Sequence, residues 1–335
     1  MRTRVAILAA VILAAILGWT GWWFVLATAR DNALTTWLTD RRAAGWVAEA
    51  GDVSVGGFPS RVDSRISGLS LSDPQAGWSW QAAALNILQL AYKPHHVIAV
   101  LEGEQVVATP YDTFRASSDT LRGSVVFRPN TRLELDHMTF EIGGMAVTSD
   151  AGWMTSIDKA VLATRQANGG QPYAHDLAFD AENLAIPQLA DTARGVLPPA
   201  IGKVSLDSTL RFDRPWDRAS VEGDNPVLEG VDIRDISLAW GRLDLRGSGN
   251  LAVDAEGYAE GRIDLHARNW EDMLAVAESS GALDPTLAGA LRGGLGLLAR
   301  FSGDRNALDI PLDFKGGVAR LGPIPIGAAP RLARR

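Results

Sequence analysis

The sequence predicts an α+β chain that is mainly antiparallel β: one N-terminal transmembrane helix, then an exported β-rich domain with a few packed helices. Three observations carry this. The run from Val5 to Leu26 has no charged side chain. From Val53 onward apolar and polar residues alternate with period two, the signature of strands with one wet and one buried face. Glycine-containing turns then separate the alternating runs. The 335 residues, 47% hydrophobic and 21% charged, have a globular composition and room for one large or two ordinary domains.

The N-terminal run of 22 residues would extend about 33 Å as a helix, close to the roughly 30 Å of a bilayer's hydrocarbon core. Arg2 and Arg4 precede it, and Trp19, Trp22 and Trp23 stand near its far end, where interfacial aromatics settle. The basic residues keep the short N-terminal side cytoplasmic and place the bulk of the chain outside. A signal peptide cleaved after Ala29 is the competing reading, because Ala27-Thr28-Ala29 has the small-residue pattern. Its apolar region is typically about 7–15 residues, shorter than this one. The expected domains are 1–29, anchor or signal peptide, and 30–335, exported. The string 168–172 is the most linker-like and suggests lobes 30–169 and 170–335.

Beyond the anchor, Leu34, Trp37 and Leu38 at i, i+3 and i+4, followed by Arg41 and Arg42, predict a short helix ending near Gly45. Strands are expected over 62–71, 97–101, 105–109, 121–127, 133–142, 154–163 and 177–186. Between Leu135 and Phe140 the apolar phase switches, which predicts a bulge near His137. Leu206, Ser208, Leu210 and Phe212 alternate with charged or polar neighbours. The clearest hairpin is 242–268: Leu243, Leu245, Gly247, Gly249, Leu251 and Val253 face inward. After a turn at Ala255-Glu256-Gly257, Ile263, Leu265 and Ala267 resume the same phase.

Helices are few. Pro187 to Leu197 is one candidate, stopped by Pro198-Pro199. Asn269 is a candidate cap for a second, with Glu271 and Asp272 in its first turn and an end at Gly281. Asp284 and Pro285 open a third, with Leu287, Leu291 and Leu295 at four-residue steps. Its interior Gly289, Gly293, Gly294 and Gly296 cost about 1 kcal/mol each, so this helix leans on packing and is a candidate lid. A last hairpin, 308–314 and 318–326, turns at Lys315-Gly316-Gly317, and Pro323 and Pro325 push its second arm to a sheet edge.

The composition excludes several chemistries. Outside the first thirty residues, which hold only Arg2, Arg4 and Arg30, 29 bases face 39 acids, the wrong balance for a nucleic-acid surface. Without cysteine there are no disulfides, thiolate metal sites or cysteine nucleophiles. Adjacent His95 and His96 would point to opposite faces of a strand, a poor geometry for one metal, and a turn following Pro94 is the plainer account. His266 belongs to a polar face. Ser156-Ile157-Asp158-Lys159 matches S-x-x-K but falls in a strand, and Arg246-Gly247-Ser248-Gly249 lacks the third glycine of a dinucleotide loop. No catalytic residue, metal ligand or cofactor site is assigned. Eight tryptophans lie beyond the anchor. Trp78, Trp80, Trp153 and Trp240 are the candidates to line an apolar ligand groove, and core filling is the plain alternative.

Gly45-Trp46, Gly57-Phe58-Pro59-Ser60-Arg61, Asp73-Pro74, Tyr92-Lys93-Pro94-His95-His96-Val97-Ile98-Ala99-Val100, Gly103-Glu104-Gln105 and Leu321-Gly322-Pro323-Ile324-Pro325-Ile326-Gly327 occur together. With these strings the chain resembles the bacterial family known as domain of unknown function 2125, seen in alphaproteobacteria. That family brings no catalytic residues. The resemblance implies a distant kinship, in architecture only, to AsmA-like envelope proteins: anchored in the inner membrane, with long β-sheets curling into an apolar groove that handles lipids. The expected protein is therefore single-pass in the inner membrane, with its N-terminus cytoplasmic and its bulk periplasmic. It is expected to be non-enzymatic and to bind or shelter lipid in an apolar groove. A purely structural or assembly role at the inner membrane is the alternative, and a hydrolase with an unrecognised site the third. An open apolar groove favours the first and a filled core the second. Convergent perturbed carboxylates, or His137 in a pocket, would favour the third.

Overall fold

The computed structural model describes residues 2–169, 171–186, 197–221, 223, 225–281, 283–302 and 304–333. Most of the candidate helix over 187–197 lies outside them. The chain forms two compact units, Met1–Val126 with Val147–Gly152 and Phe127–Ala146 with Trp153–Arg335. This division differs from lobes meeting at 169/170. The residues on either side of that string pair with each other in one hairpin: Gln166 with His175, and the Ala167 amide with the Ala174 carbonyl (2.9 Å).

In the first unit the apolar run and the short helix after it are one helix, α1 (Arg2–Ala43), long and apolar enough to cross a membrane. Arg41 and Arg42 complement its C-terminal dipole, and the Trp46 amide closes its last turn on the Arg41 carbonyl (3.0 Å). Seven strands follow: β1 (Val47–Glu49), β2 (Asp52–Gly56), β3 (Asp63–Asp73), β4 (Trp78–Leu90), β5 (Lys93–Ala108), β6 (Thr113–Ser117) and β7 (Thr120–Phe127). β1 and β2 share one edge of β3, then β4 and β5 continue antiparallel, and β6 and β7 share the far edge of β5. Residues 97–101 and 105–109, expected as two strands, are nearly all in β5. A register shift opposite Ala82/Ala84 and a left-handed Gly103 (φ 72°) form a bulge that changes the alternation without breaking the ladder. His95 and His96 lie within β5, not in a turn after Pro94; the turn falls at Ala91-Tyr92, because Pro94 as the strand's second residue disturbs little. Leu38 of α1 is buried with Ala48, Ile66, Leu69, Leu71 and Ala82.

The second unit takes β8 (Leu135–Ser149) up to Ala146, then β9 (Met154–Gln166), β10 (Ala174–Ala185), β11 (Ala200–Phe212), a short α2 (Arg218–Val221), β12 (Leu228–Trp240), β13 (Leu243–Val253) and β14 (Ala259–Arg268). Helices α3 (Trp270–Ser279) and α4 (Pro285–Ser302) and strands β15 (Ala307–Lys315), β16 (Val318–Leu321) and β17 (Ile324–Ala328) complete it. From β9 to β17 each strand pairs antiparallel with the next. The 242–268 and 308–326 hairpins form as expected, except that Gly322-Pro323 splits the last arm into β16 and β17.

The start of α3 differs from the expected side-chain cap. Asn269 is left-handed (φ 54°) and makes no side-chain cap bond; its side-chain Nδ2 instead donates to the Arg242 carbonyl (2.5 Å). Asp284 does cap α4, accepting from the Thr286 amide (2.8 Å). Leu291, Leu295 and Ala299 of α4 are each 1% exposed and pack with Trp270, Leu274, Leu308, Ile310 and Leu321. The glycine-rich helix expected as a lid is a packed roof over the sheet.

Candidate functional site

Cross-strand registers sort the side chains of the second unit onto two faces. On one, partners in adjacent strands form continuous apolar rows. Leu162 pairs with Phe179, Phe179 with Leu206, Leu206 with Ile236, Ile236 with Gly247, Gly247 with Leu265 and Leu265 with Ile310. A parallel row runs Ala181, Val204, Leu238, Leu245, Ala267 and Leu308. Pairs directly opposite one another lie about 5 Å apart, so each row is a strip of adjoining side chains, with Ile236 and Leu265 reaching over Gly247.

A register shift keeps these rows in phase. Asp207 faces Asp235 and Ser208 faces Ile233, so Arg234 is extra in β12. Ile233 and Ile236, three apart in sequence, thereby both reach the apolar face while Arg234 turns to the other. On β13 the rows thin to Gly247 and Gly249. A Cβ on Gly249 would meet the Arg262 carbonyl oxygen at 2.1 Å, so β14 crowds β13 to a degree only glycine permits.

Toward β13–β16 the apolar face is sealed by α3 and α4. α3 also covers one end of β11 and β12, where Met273 and Val276 pack with Ile201, Val204, Leu238 and Trp240; farther along β9–β12, Leu162, Phe179, Leu206 and Ile236 are only half-buried. Spread from 162 to 236, these four share no motif that marks them in the sequence as one site.

The opposite face is charged. Arg234 donates to Asp207 (3.0 Å from Nε), to Asp176 (3.2 Å) and to the Ser208 carbonyl (3.0 Å). Thr209 Oγ1 also donates to Asp176 (2.8 Å), and Arg165 pairs with Asp176 (3.4 Å). Arg211 pairs with Asp232, and farther along Arg262 pairs with Asp313 (2.7 Å) and His266 with Asp309 (2.6 Å). Arg165, Asp176, Asp207, Thr209, Asp232 and Arg234 of this ladder line an open cleft of about 1010 Å³ that Asp136 and His137 join from β8.

His137 thus does lie in a pocket, with Nδ1 2.8 Å from Asp136. The carboxylates beside it argue against acid catalysis. Hydrogen bonding from Arg234 leads in holding Asp207 below the ordinary carboxylate range. At Asp176 burial pushes upward, but Thr209, Arg234 and Arg165 outweigh it and the carboxyl is likewise held low. Both are ionised at neutral pH and occupied by partners, unlike a general acid, which needs a raised value. His175 points to the other face, 5% exposed, with its pKa lowered by burial above all. Ser156 and Lys159 pair with Ala185 and Glu182 on β10, three apart in a strand and therefore on opposite faces. No cluster of three metal-ligating side chains occurs among the described residues.

The four candidate tryptophans do not converge. Trp78 and Trp80 share one face of β4 in the first unit and pack against the cluster beneath Leu38. Trp78 meets Trp46 edge-to-face at 5.2 Å, and Trp80 Nε1 donates to Gln105 (3.2 Å). Trp240, in the second unit, is 4% exposed among Leu197, Ile201, Leu243 and Val276, its Nε1 donating to the Pro198 carbonyl (2.7 Å). Trp153 is half-buried just before β9. Where their packing is described, these indoles fill separate cores.

A family of bacterial proteins described as uncharacterized and conserved in bacteria, DUF2125, matches residues 23–330. The chain belongs to this family. The DUF2125 match begins at Trp23, inside α1, and takes in both units. No curated protein and no solved structure matches the chain.

Proposed function

We propose that this DUF2125 protein is a non-enzymatic, membrane-anchored lipid-binding protein. Its α1 is retained in the inner membrane with Met1 cytoplasmic, and its β-rich part is periplasmic. The observation that carries the proposal is the half-buried apolar strip Leu162–Phe179–Leu206–Ile236, continuous with the strip that α3 and α4 seal. An acyl chain laid across β9–β12 would cover it as the helices cover β13–β16, removing apolar area from water at about 25 cal/mol per Å². A long antiparallel sheet with an apolar face beside a bilayer also fits the AsmA-like arrangement.

The test is photo-crosslinking of the full chain in vesicles containing a phospholipid with a photoreactive acyl chain. Adducts are expected in peptides carrying Leu162, Phe179, Leu206 or Ile236, besides those in α1. Adducts confined to α1 would defeat the proposal and favour the structural or assembly role, for which the sealed half of the sheet is already suited.

A further inference from the structure

At the loop between β2 and β3 the first unit is fastened to the apolar part of α1. Trp19 Nε1 donates to the Pro59 carbonyl (2.8 Å) and Trp23 Nε1 to the Arg61 carbonyl (2.6 Å). The Trp23 ring meets Phe58 edge-to-face at 5.4 Å and is buried with Val62 and Ala91. Trp19 stands seven residues before the end of the uncharged run, roughly 10 Å at 1.5 Å per residue. The Gly57–Arg61 loop therefore lies alongside the apolar run, not beyond it.

Two features suit this loop to a water-poor setting. Four of its five carbonyls are occupied: Gly57 accepts from the Arg61 amide (2.9 Å), Ser60 from the Ala91 amide (2.9 Å), and Pro59 and Arg61 from the two indoles. Pro59 has no amide hydrogen to leave unpaired. An irregular loop beside lipid is tolerable only when its backbone is satisfied in this way. Its side chains also face outward: Phe58 is 53% exposed and, across the Ala91 contact, Tyr92 at the β4–β5 turn is 58% exposed. Lys93 and Arg61 flank them, both exposed, Arg61 with its Nε paired to Asp63 (2.7 Å) and the rest of its guanidinium turned outward.

We propose that Phe58 and Tyr92 are inserted in the interfacial layer of the bilayer's outer leaflet, with Arg61 and Lys93 at the phosphate level, so that the first unit stands on the membrane and does not merely hang from a tether. Aromatic side chains with an apolar body prefer that layer. The proposal rests on α1 spanning the membrane.

The natural chain has no cysteine, so single cysteines at Phe58, Tyr92, Tyr111 and Leu13 can each carry an environment-sensitive fluorophore in the full chain. Tyr111 is 95% exposed, beyond the far end of β5, whose 16 residues extend about 50 Å at roughly 3.3 Å each. The protein is reconstituted in phosphatidylglycerol–phosphatidylcholine vesicles and quenched with nitroxide-labelled lipid or with aqueous iodide. Labels at 58 and 92 are expected to be blue-shifted, quenched by lipid nitroxide and shielded from iodide, as at 13, with the reverse at 111. If labels at 58 and 92 behave like that at 111 while 13 stays lipid-quenched, the insertion is refuted and the anchor stands. If 13 is not lipid-quenched, the anchor and the insertion fall together.

Discussion

The two halves of one apolar face show how alike strands can be finished differently. At one end of the Leu162–Ile310 row, Ile310 is buried and half-buried Leu265 packs beside it, under Leu291 and Leu295 of α4, each 1% exposed. Leu162, Phe179 and Leu206 at the other end are half-buried. The alternation is the same in both halves. What differs is that Asp284, Pro285 and the leucines spaced by four build a helix above β13–β16. An apolar stripe in sequence thus marks a face, and what covers that face is settled elsewhere in the chain.

Breaking the roofed half should cost most. Leu295→Asp puts a charge where no partner reaches it, and loss of cooperative unfolding is expected, seen by circular dichroism on heating. Leu295→Ala should cost about 2–5 kcal/mol in denaturant unfolding. Phe179→Ala in the open half should cost much less, about 1 kcal/mol, while reducing acyl crosslinking to β9–β12. Equal stability losses at 295 and 179 would mean that both halves are packed core. The smallest effect belongs to the charged face. Arg234→Ala should change stability at neutral pH by about 0–1 kcal/mol, as exposed ion pairs do. Its signature is in the pH dependence. Asp207 and Asp176 are held below the ordinary value of 3.8, so their contribution is present above that value and lost as pH falls through the lower, folded one. Removing Arg234 should weaken this acid destabilisation, measured as the slope of melting temperature against pH.

Legibility followed how local each signal was. The 242–268 hairpin could be read because its phase runs unbroken through Leu243–Val253 and Ile263–Ala267. β12 was missed because its bulge sets Ile233 and Ile236 three apart, erasing period two in the sequence while preserving it in space. β4 was missed for a related reason: Ala82, Ala83 and Ala84 blur its alternation, and a bulge faces them across the sheet. Residue type predicts a side-chain cap at Asn269, but its side-chain Nδ2 is spent on the Arg242 carbonyl. Conversely, Trp78 and Trp240 stand out in the sequence as large aromatic residues, yet each packs in a core, since size alone does not separate a groove wall from an interior.

The sequence by itself determined the long apolar helix, the antiparallel β character, the inward phase of the clearest strands and the lack of cysteine chemistry, all set by residue type and short-range spacing. Only the tertiary structure decided which strands lie side by side, that Leu162, Phe179, Leu206 and Ile236 form one strip, and that Trp19 and Trp23 hold the Pro59 and Arg61 carbonyls. Register and contact between residues tens of positions apart depend on how loops close and bulges fall, and period-two alternation carries no record of either.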